Sequence, residues 1–102
     1  MILARVEGSV VATKKNPKML GSKFLVVRPQ VLDSPKARAF KDGTSTLVVV
    51  DSLGAGEGEF VLVVQGSSAR LAADDKDSPV DAVVVGIVDT VDLGKIILYK
   101  AQ

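Results

Sequence analysis

The part of this 102-residue chain that looks most like chemical machinery is "GAGEGEFVLVVQGSSAR", residues 54–70. Three glycines alternate with small or acidic residues, two glutamates stand two apart, and two serines follow the next glycine. Glycine-rich loops cradle phosphates, serines act as nucleophiles, and paired carboxylates exchange protons or hold cations. Each of these tasks has requirements beyond the loop itself. A dinucleotide loop needs G-x-G-x-x-G between a strand and a long helix. Here Gly54, Gly56 and Gly58 run G-x-G-x-G, no Walker lysine follows, and the next segment reads as a strand. The spacing fits a tight turn whose backbone angles suit glycine. Ser67 or Ser68 as a nucleophile needs a base, and the chain contains no histidine. Lys76 is the remaining basic candidate, but nothing in its spacing argues for a Ser–Lys pair. N-capping a short helix is the simpler task for these serines. Glu57 and Glu59 share a face when extended, as an acid–base pair or a cation site would require. A pair of surface glutamates is more often a solvated edge, or a partner for a cation such as Arg70. The sequence thus offers no catalytic residue, no metal site and no cofactor motif. It has no cysteine either, so thiolate and disulfide chemistry are absent and redox compartment is unreadable.

The elements that must position these residues are short strands. Ile2, Ala4, Val6, Gly8, Val10 and Ala12 fall on one face of an extended segment, with Arg5, Glu7, Ser9 and Thr13 on the other. That period of two predicts a half-buried strand, and Gly8 on its inward side marks a bend or bulge. "KKNPK" (residues 14–18) reads as a turn. "KFLVVRP" (23–29) is a second strand that Pro29 helps to stop. Residues 30–43 read as a polar, mobile connection with turn signals at Asp33-Ser34-Pro35 and Asp42-Gly43. "TLVVVD" (46–51) and "EFVLVVQ" (59–65) are the third and fourth strands, joined by the glycine loop. "SSARLAA" (67–73) predicts one or two helical turns, and "DDKDSP" (74–79) a turn. "DAVVVGIVDTVDL" (81–93) predicts a fifth strand, and "KIILYK" (95–100) an element of undefined type. Short strands, glycine-rich turns and one short helix predict a single domain over residues 1–102. It is mainly β, a small closed or nearly closed β-barrel of OB-like form.

Three of these strands point past the monomer. "LVVV", "FVLVV" and "AVVVGIV" are apolar on both alternating faces. One face fills the barrel, and little helix exists to cover the other. Another copy of the chain is the commonest partner for such a face, so oligomerisation is expected. The net charge is only +1, but the halves differ. Residues 1–51 carry nine Lys/Arg against four Asp/Glu, and residues 52–102 carry four against eight. Either the charge is scattered and solvated, or opposite-signed regions meet within or between subunits. No stretch nears the ~18 apolar residues of a membrane span, and "MILARVEGSVVA" is unlike a signal peptide. No membrane association and a cytoplasmic location are expected. The alternative function for such a barrel is binding single-stranded nucleic acid by stacking bases on aromatics over a basic groove. Against it, the only aromatics are Phe24, Phe40, Phe60 and Tyr99, and the basic residues cluster mainly in "TKKNPK" and "PKAR".

Four pieces in sequence order carry a resemblance: "ARVEGSVVATKK" (4–15), "LGSKFLVVRP" (20–29), "DSLGAGEGEFVLVVQGSSAR" (51–70) and "PVDAVVVGIVDTVD" (79–92). Together the chain resembles the vertex proteins of bacterial microcompartment shells, the EutN/CcmL family. Any one piece is weak. The G-A-G-x-G-E loop, the G-S-S-A-R corner and the V-D-A…G-I-V-D strand at these separations are jointly specific. The resemblance implies an OB-like barrel assembled as a cyclic homopentamer, without enzyme activity or cofactor, and binding no nucleic acid. Its implied role is geometric: five-fold units cap the vertices of a polyhedral shell otherwise tiled by hexagonal shell proteins. It also places Gly54, Ala55, Gly56, Glu57, Gly58 and Glu59, with Ser67, Ser68, Ala69 and Arg70, at or near the subunit interface and axial opening. There the glycines would let backbones approach closely, whereas in a lone chain the same loop is only a tight turn. Residues 31–43 match no assigned pattern. "LGKIILYKAQ" (93–102) is expected to supply a final strand along its own barrel or on an adjacent subunit.

Overall fold

The computed structural model describes residues 1–13, 16–19, 23–72 and 80–102, without the side chains of Met19, Ser68 and Arg70. Lys14 and Lys15 of the "KKNPK" turn, Lys76 and the whole "DDKDSP" turn lie outside the described residues. In chain order the strands are β1 (Ile2–Val10), β2 (Lys23–Val31), β3 (Lys41–Asp42), β4 (Leu47–Asp51), β5 (Phe60–Gln65), β6 (Ala82–Ile87), β7 (Thr90–Leu93) and β8 (Ile96–Lys100). A single α-turn, α1 (Ser67–Ala72), follows β5, and a 3-10 turn spans Pro17–Met19.

Five strands close on themselves in the order β1-β2-β4-β6-β5-β1. Every pair is antiparallel except β4 and β6, which meet in parallel at Val50 and Val83. The strand pattern predicts a closed or nearly closed OB-like barrel, and the structure closes it in Greek-key order. Its interior is filled mainly by valine and alanine, among them Ala4, Val6, Val27, Val49, Val61, Val63 and Val84. A five-stranded barrel is narrow, and small β-branched side chains fill it while favouring strand geometry.

Apolar residues on the outer faces of β2, β4, β5 and β6 form a second cluster beneath α1. Ala69 of α1 is fully buried against Val80 and Val83, with Phe24, Val50 and Val64 packed around them. Part of the doubly apolar signal is therefore absorbed within the chain. Val48 and Val85 remain exposed.

The structure corrects several sequence expectations. The first strand keeps its apolar face only through Ile2, Ala4 and Val6. Val6 pairs with Val27 and Gly8 with Val26, so Glu7 is the extra residue of a bulge. An inserted residue reverses the alternation. Beyond it Ser9 lies opposite the core residue Leu25, and Val10 lies opposite Phe24 on the outside. β2 does not stop at Pro29; the proline's carbonyl still accepts the Gly43 amide at 2.8 Å, because proline lacks only the donor. Residues 30–43 are not simply a connection, since Lys41 and Asp42 pair as β3 with Val31 and Gln30. The predicted fifth strand divides after Ile87. There the Val88 amide donates to the Phe60 carbonyl at 2.8 Å, and the chain leaves the barrel to form the β7–β8 hairpin. The segment of undefined type is thus a strand, paired with β7 and with no strand of the barrel. The molecule is 46 Å long and 24 by 23 Å across.

Candidate functional site

The glycine loop between β4 and β5 is organised by a carboxylate that the sequence reading passed over. Asp51 is buried, and its oxygens accept the backbone amides of Leu53 at 2.8 Å, Gly54 at 3.2 Å and Ala55 at 2.8 Å. An aspartate closing a strand just before a glycine loop was the available signal, because its short side chain reaches the amides that follow it. This anchoring drives Ala55 into the end of the barrel, where its methyl group is part of the core. The Ala55 carbonyl meets Lys23 Nζ at 3.4 Å.

The outer half of the loop is tied to β1. Gly58 donates to the Val6 carbonyl at 2.8 Å, and the Val6 amide donates to the Glu59 carbonyl at 2.9 Å. Glu59 turns back on its own loop and accepts the Gly56 amide at 2.6 Å through Oε1. Gly54 and Gly58 have φ near +86° and +87°, the left-handed region that glycine enters most readily. Gly56 does not. A Cβ there would lie 3.2 Å from Glu59 Oε1, the end of a flexible side chain. Glu57 is exposed, and Glu59 is half-buried and committed to the Gly56 amide. The two carboxylates do not converge on a common point supplied with a third ligand. Among the described residues no cluster of three or more potential metal-binding side chains occurs.

The corner after β5 lies elsewhere. Gly66, with φ +69°, turns the chain, and its carbonyl accepts the Ala69 amide at 3.1 Å. The group that opens the helix is thus Gly66, while Ser67 is exposed. The glycine loop precedes β5 and this corner follows it. Six residues of strand separate them, about 20 Å at ordinary strand rise. The ten candidate residues therefore form two sites at opposite ends of one strand. Among the described side chains, Ala55 fills the barrel end and Ala69 fills the outer cluster.

Beside the loop, Gly56, Gly58, Glu59 and the chain end from Tyr99 to Gln102 border a shallow groove of about 450 Å³. Tyr99 is fixed on the barrel: its ring stacks on Phe60 at 3.9 Å, and its hydroxyl accepts the Phe60 amide at 3.2 Å. Phe40 meets the edge of Phe60 at 5.5 Å, and Phe24 packs against the outer cluster. The four aromatics thus pack on one another or against the outer cluster. No helix of the described residues is long and apolar enough to cross a membrane.

Residues 1–89 match the family described as "Ethanolamine utilisation protein EutN/carboxysome". The chain is 49% identical over 92 residues to the bacterial microcompartment shell vertex protein GrpN of Rhodospirillum rubrum (strain F11), covering 90% of this chain and 97% of that one. It is 42% identical over 102 residues to the carboxysome shell vertex protein CcmL of Gloeobacter violaceus, covering 100% and 96%. The solved structure of Gloeobacter violaceus CcmL superposes with a TM-score of 0.82 at 41% identity, over 98% of this chain and 97% of that one. A structure of GrpN from Rhodospirillum rubrum, a pentameric microcompartment shell protein, superposes at 0.74 with 49% identity, over 90% and 98%.

Proposed function

The chain belongs to the EutN/CcmL family, and on that premise we propose how it builds a shell vertex. It is a structural shell protein. Five copies form a ring that caps a vertex of a polyhedral bacterial microcompartment in the cytoplasm, beside other shell proteins. A sheet of hexagonal tiles is flat; a five-fold unit in place of a six-fold one forces curvature and lets the shell close. The tile works by shape, without catalysis or a cofactor, and its ring is made by a head-to-tail contact that closes by rotation. The observation that carries this reading is the match, over 90% of the chain, to a pentameric shell protein of 49% identity.

The two candidate sites take different places in that ring. Gly54, Gly56, Glu57, Gly58 and Glu59 gather around the axial opening, where small residues let five backbones crowd together. Ser67, Ser68 and Arg70 meet the neighbouring subunit at the other end of β5. Ala55 and Ala69 act from inside, holding loop and corner in shape. The rigid tie of the loop to Asp51 and β1 supports this assignment, since a crowded axis needs a loop that does not rearrange. Native mass spectrometry across a concentration series tests the function: a species at five times 10.7 kDa is expected. A monomer at every concentration overturns it.

A further inference from the structure

The β7–β8 hairpin begins at Thr90, immediately beyond the residues 1–89 by which the family is matched. It is fixed to the barrel at its base by Tyr99 on Phe60, and the Ala101 amide closes its own open end on the Asp89 carbonyl at 2.8 Å. Past that base it stands away from the five-stranded core. Its register gives it two unlike faces. Val91 pairs with Tyr99 and Leu93 with Ile96, which puts these four apolar side chains on one face. Thr90, Asp92, Ile97 and Lys100 occupy the other. A two-stranded ribbon lacks a core of its own and is marginal in water unless its apolar face packs on something. Val91, Leu93 and Ile96 are half-buried like Tyr99, and Ile97 on the other face is 62% exposed.

A complementary surface lies on the β4 side of the barrel, across from β5. Val48 is 55% exposed there, beside a groove of about 240 Å³ bordered by Phe24, Val50, Val80, Asp81 and Ala82. The groove extends the outer apolar cluster to the surface. Asp81 stands at its rim, and Lys95 stands in the turn at the hairpin's tip; neither makes an ion pair with a described residue. A five-residue ribbon strand reaches about 15 Å, over half the 24 Å width of the molecule.

Resting on the pentameric reading, we infer that the hairpin is a clasp between subunits. The face formed by Val91, Leu93 and Ile96 seats in the Val48 groove of the next copy, with Lys95 against that copy's Asp81. Hairpin and groove are different surfaces on different sides of the barrel. That is the arrangement a head-to-tail ring requires, each subunit giving a clasp and receiving one. The hairpin's apolar face also needs cover in the free ring, before any other tile arrives, which favours a second copy over a different shell protein.

The test replaces Ile96 with the photo-reactive residue p-benzoylphenylalanine in the full chain. The product is irradiated as the native assembly, run on a denaturing gel and mapped by peptide mass spectrometry. The expected result is a ladder of linked chains ending at five, with adducts in residues 44–51 or 80–83. A ladder with adducts elsewhere overturns the groove as receiver. Only intrachain adducts from an intact pentamer overturn the clasp and place the hairpin's face on its own barrel. If the unsubstituted chain is monomeric at every concentration, the vertex reading itself has failed. Ile96→Asp is the companion variant: at least a tenfold rise in the concentration at which the ring dissociates is expected, with the urea midpoint of the monomer unchanged. An unchanged dissociation concentration also overturns the clasp.

Discussion

The barrel and the hairpin are both β-structure cut from the same valine-rich sequence, yet they solve opposite problems. Each barrel strand has a partner on both sides and a shared interior, so its backbone groups and apolar side chains are satisfied within the chain. The hairpin has two free edges and an apolar face that extends beyond its aromatic base. Closure makes an element self-sufficient. An unclosed ribbon is a means of reaching something else. The protein therefore divides into a closed barrel and an unclosed ribbon attached to it.

That division can be broken by experiment. The largest effect is expected at Asp51, since Asp51→Ala strands three loop amides and frees Ala55 from the barrel end. A loss of about 3 kcal/mol in urea unfolding is expected, with Asp51→Asn recovering part of it by keeping one acceptor oxygen. A loss under 1 kcal/mol would mean that the loop is held by other means. Next comes Tyr99→Ala, which removes the stacked ring and its hydroxyl. It should release the hairpin at about 2 kcal/mol. Hydrogen exchange should then show lost protection in residues 90–100, with β1, β2 and β5 still protected. If the barrel strands lose protection equally, the two regions are one cooperative unit.

Glycine substitutions sharpen the contrast between folding and joining within the loop. Gly58→Ala forces a side chain into the left-handed region and should lower barrel stability by about 1 kcal/mol. Gly56→Ala has no such strain and should shift it by less than about 0.5 kcal/mol. Gly56→Val should nevertheless weaken the pentamer on native mass spectrometry; an unchanged pentamer would remove this loop from the axis. The smallest effect concerns acid. Asp42 takes a two-pronged contact from Arg5, its closest pair at 2.9 Å, and a hydrogen bond from Gln30 at 2.8 Å. The bond from Arg5 foremost, then that from Gln30, holds its carboxyl below the usual 3.8. A lowered folded-state value means stability fully present above 3.8 and lost as pH falls through the folded value. Asp42→Asn should flatten that acid limb slightly and leave hairpin exchange untouched.

Much of this was legible in the residues. Alternation revealed the strands, glycine and proline marked the turns, and the spaced motifs carried the family. The bulge after Val6 was visible as a mid-strand glycine, although its consequence for Ser9 and Val10 was not. One inserted residue changes the phase of everything after it, and local pattern does not record insertions relative to a distant partner. The candidate residues were legible as two segments with a strand between them, but not which of their side chains turn inward, as Ala55 and Ala69 do.

What the sequence by itself determined is the set of short valine-rich strands, the glycine loop, the turn into α1 and the absence of histidine and cysteine. These depend on each residue and its near neighbours. Only the tertiary structure decided which apolar face of β4, β5 and β6 turns inward, that Asp51 pins Ala55 into the barrel end, and that residues 81–93 split between barrel and hairpin. A strand apolar on both sides is ambiguous until its partners are known, and partners are chosen by pairing across the chain. Closure uses five strands to complete the ring, and the segment that follows is left outside it as a separate hairpin.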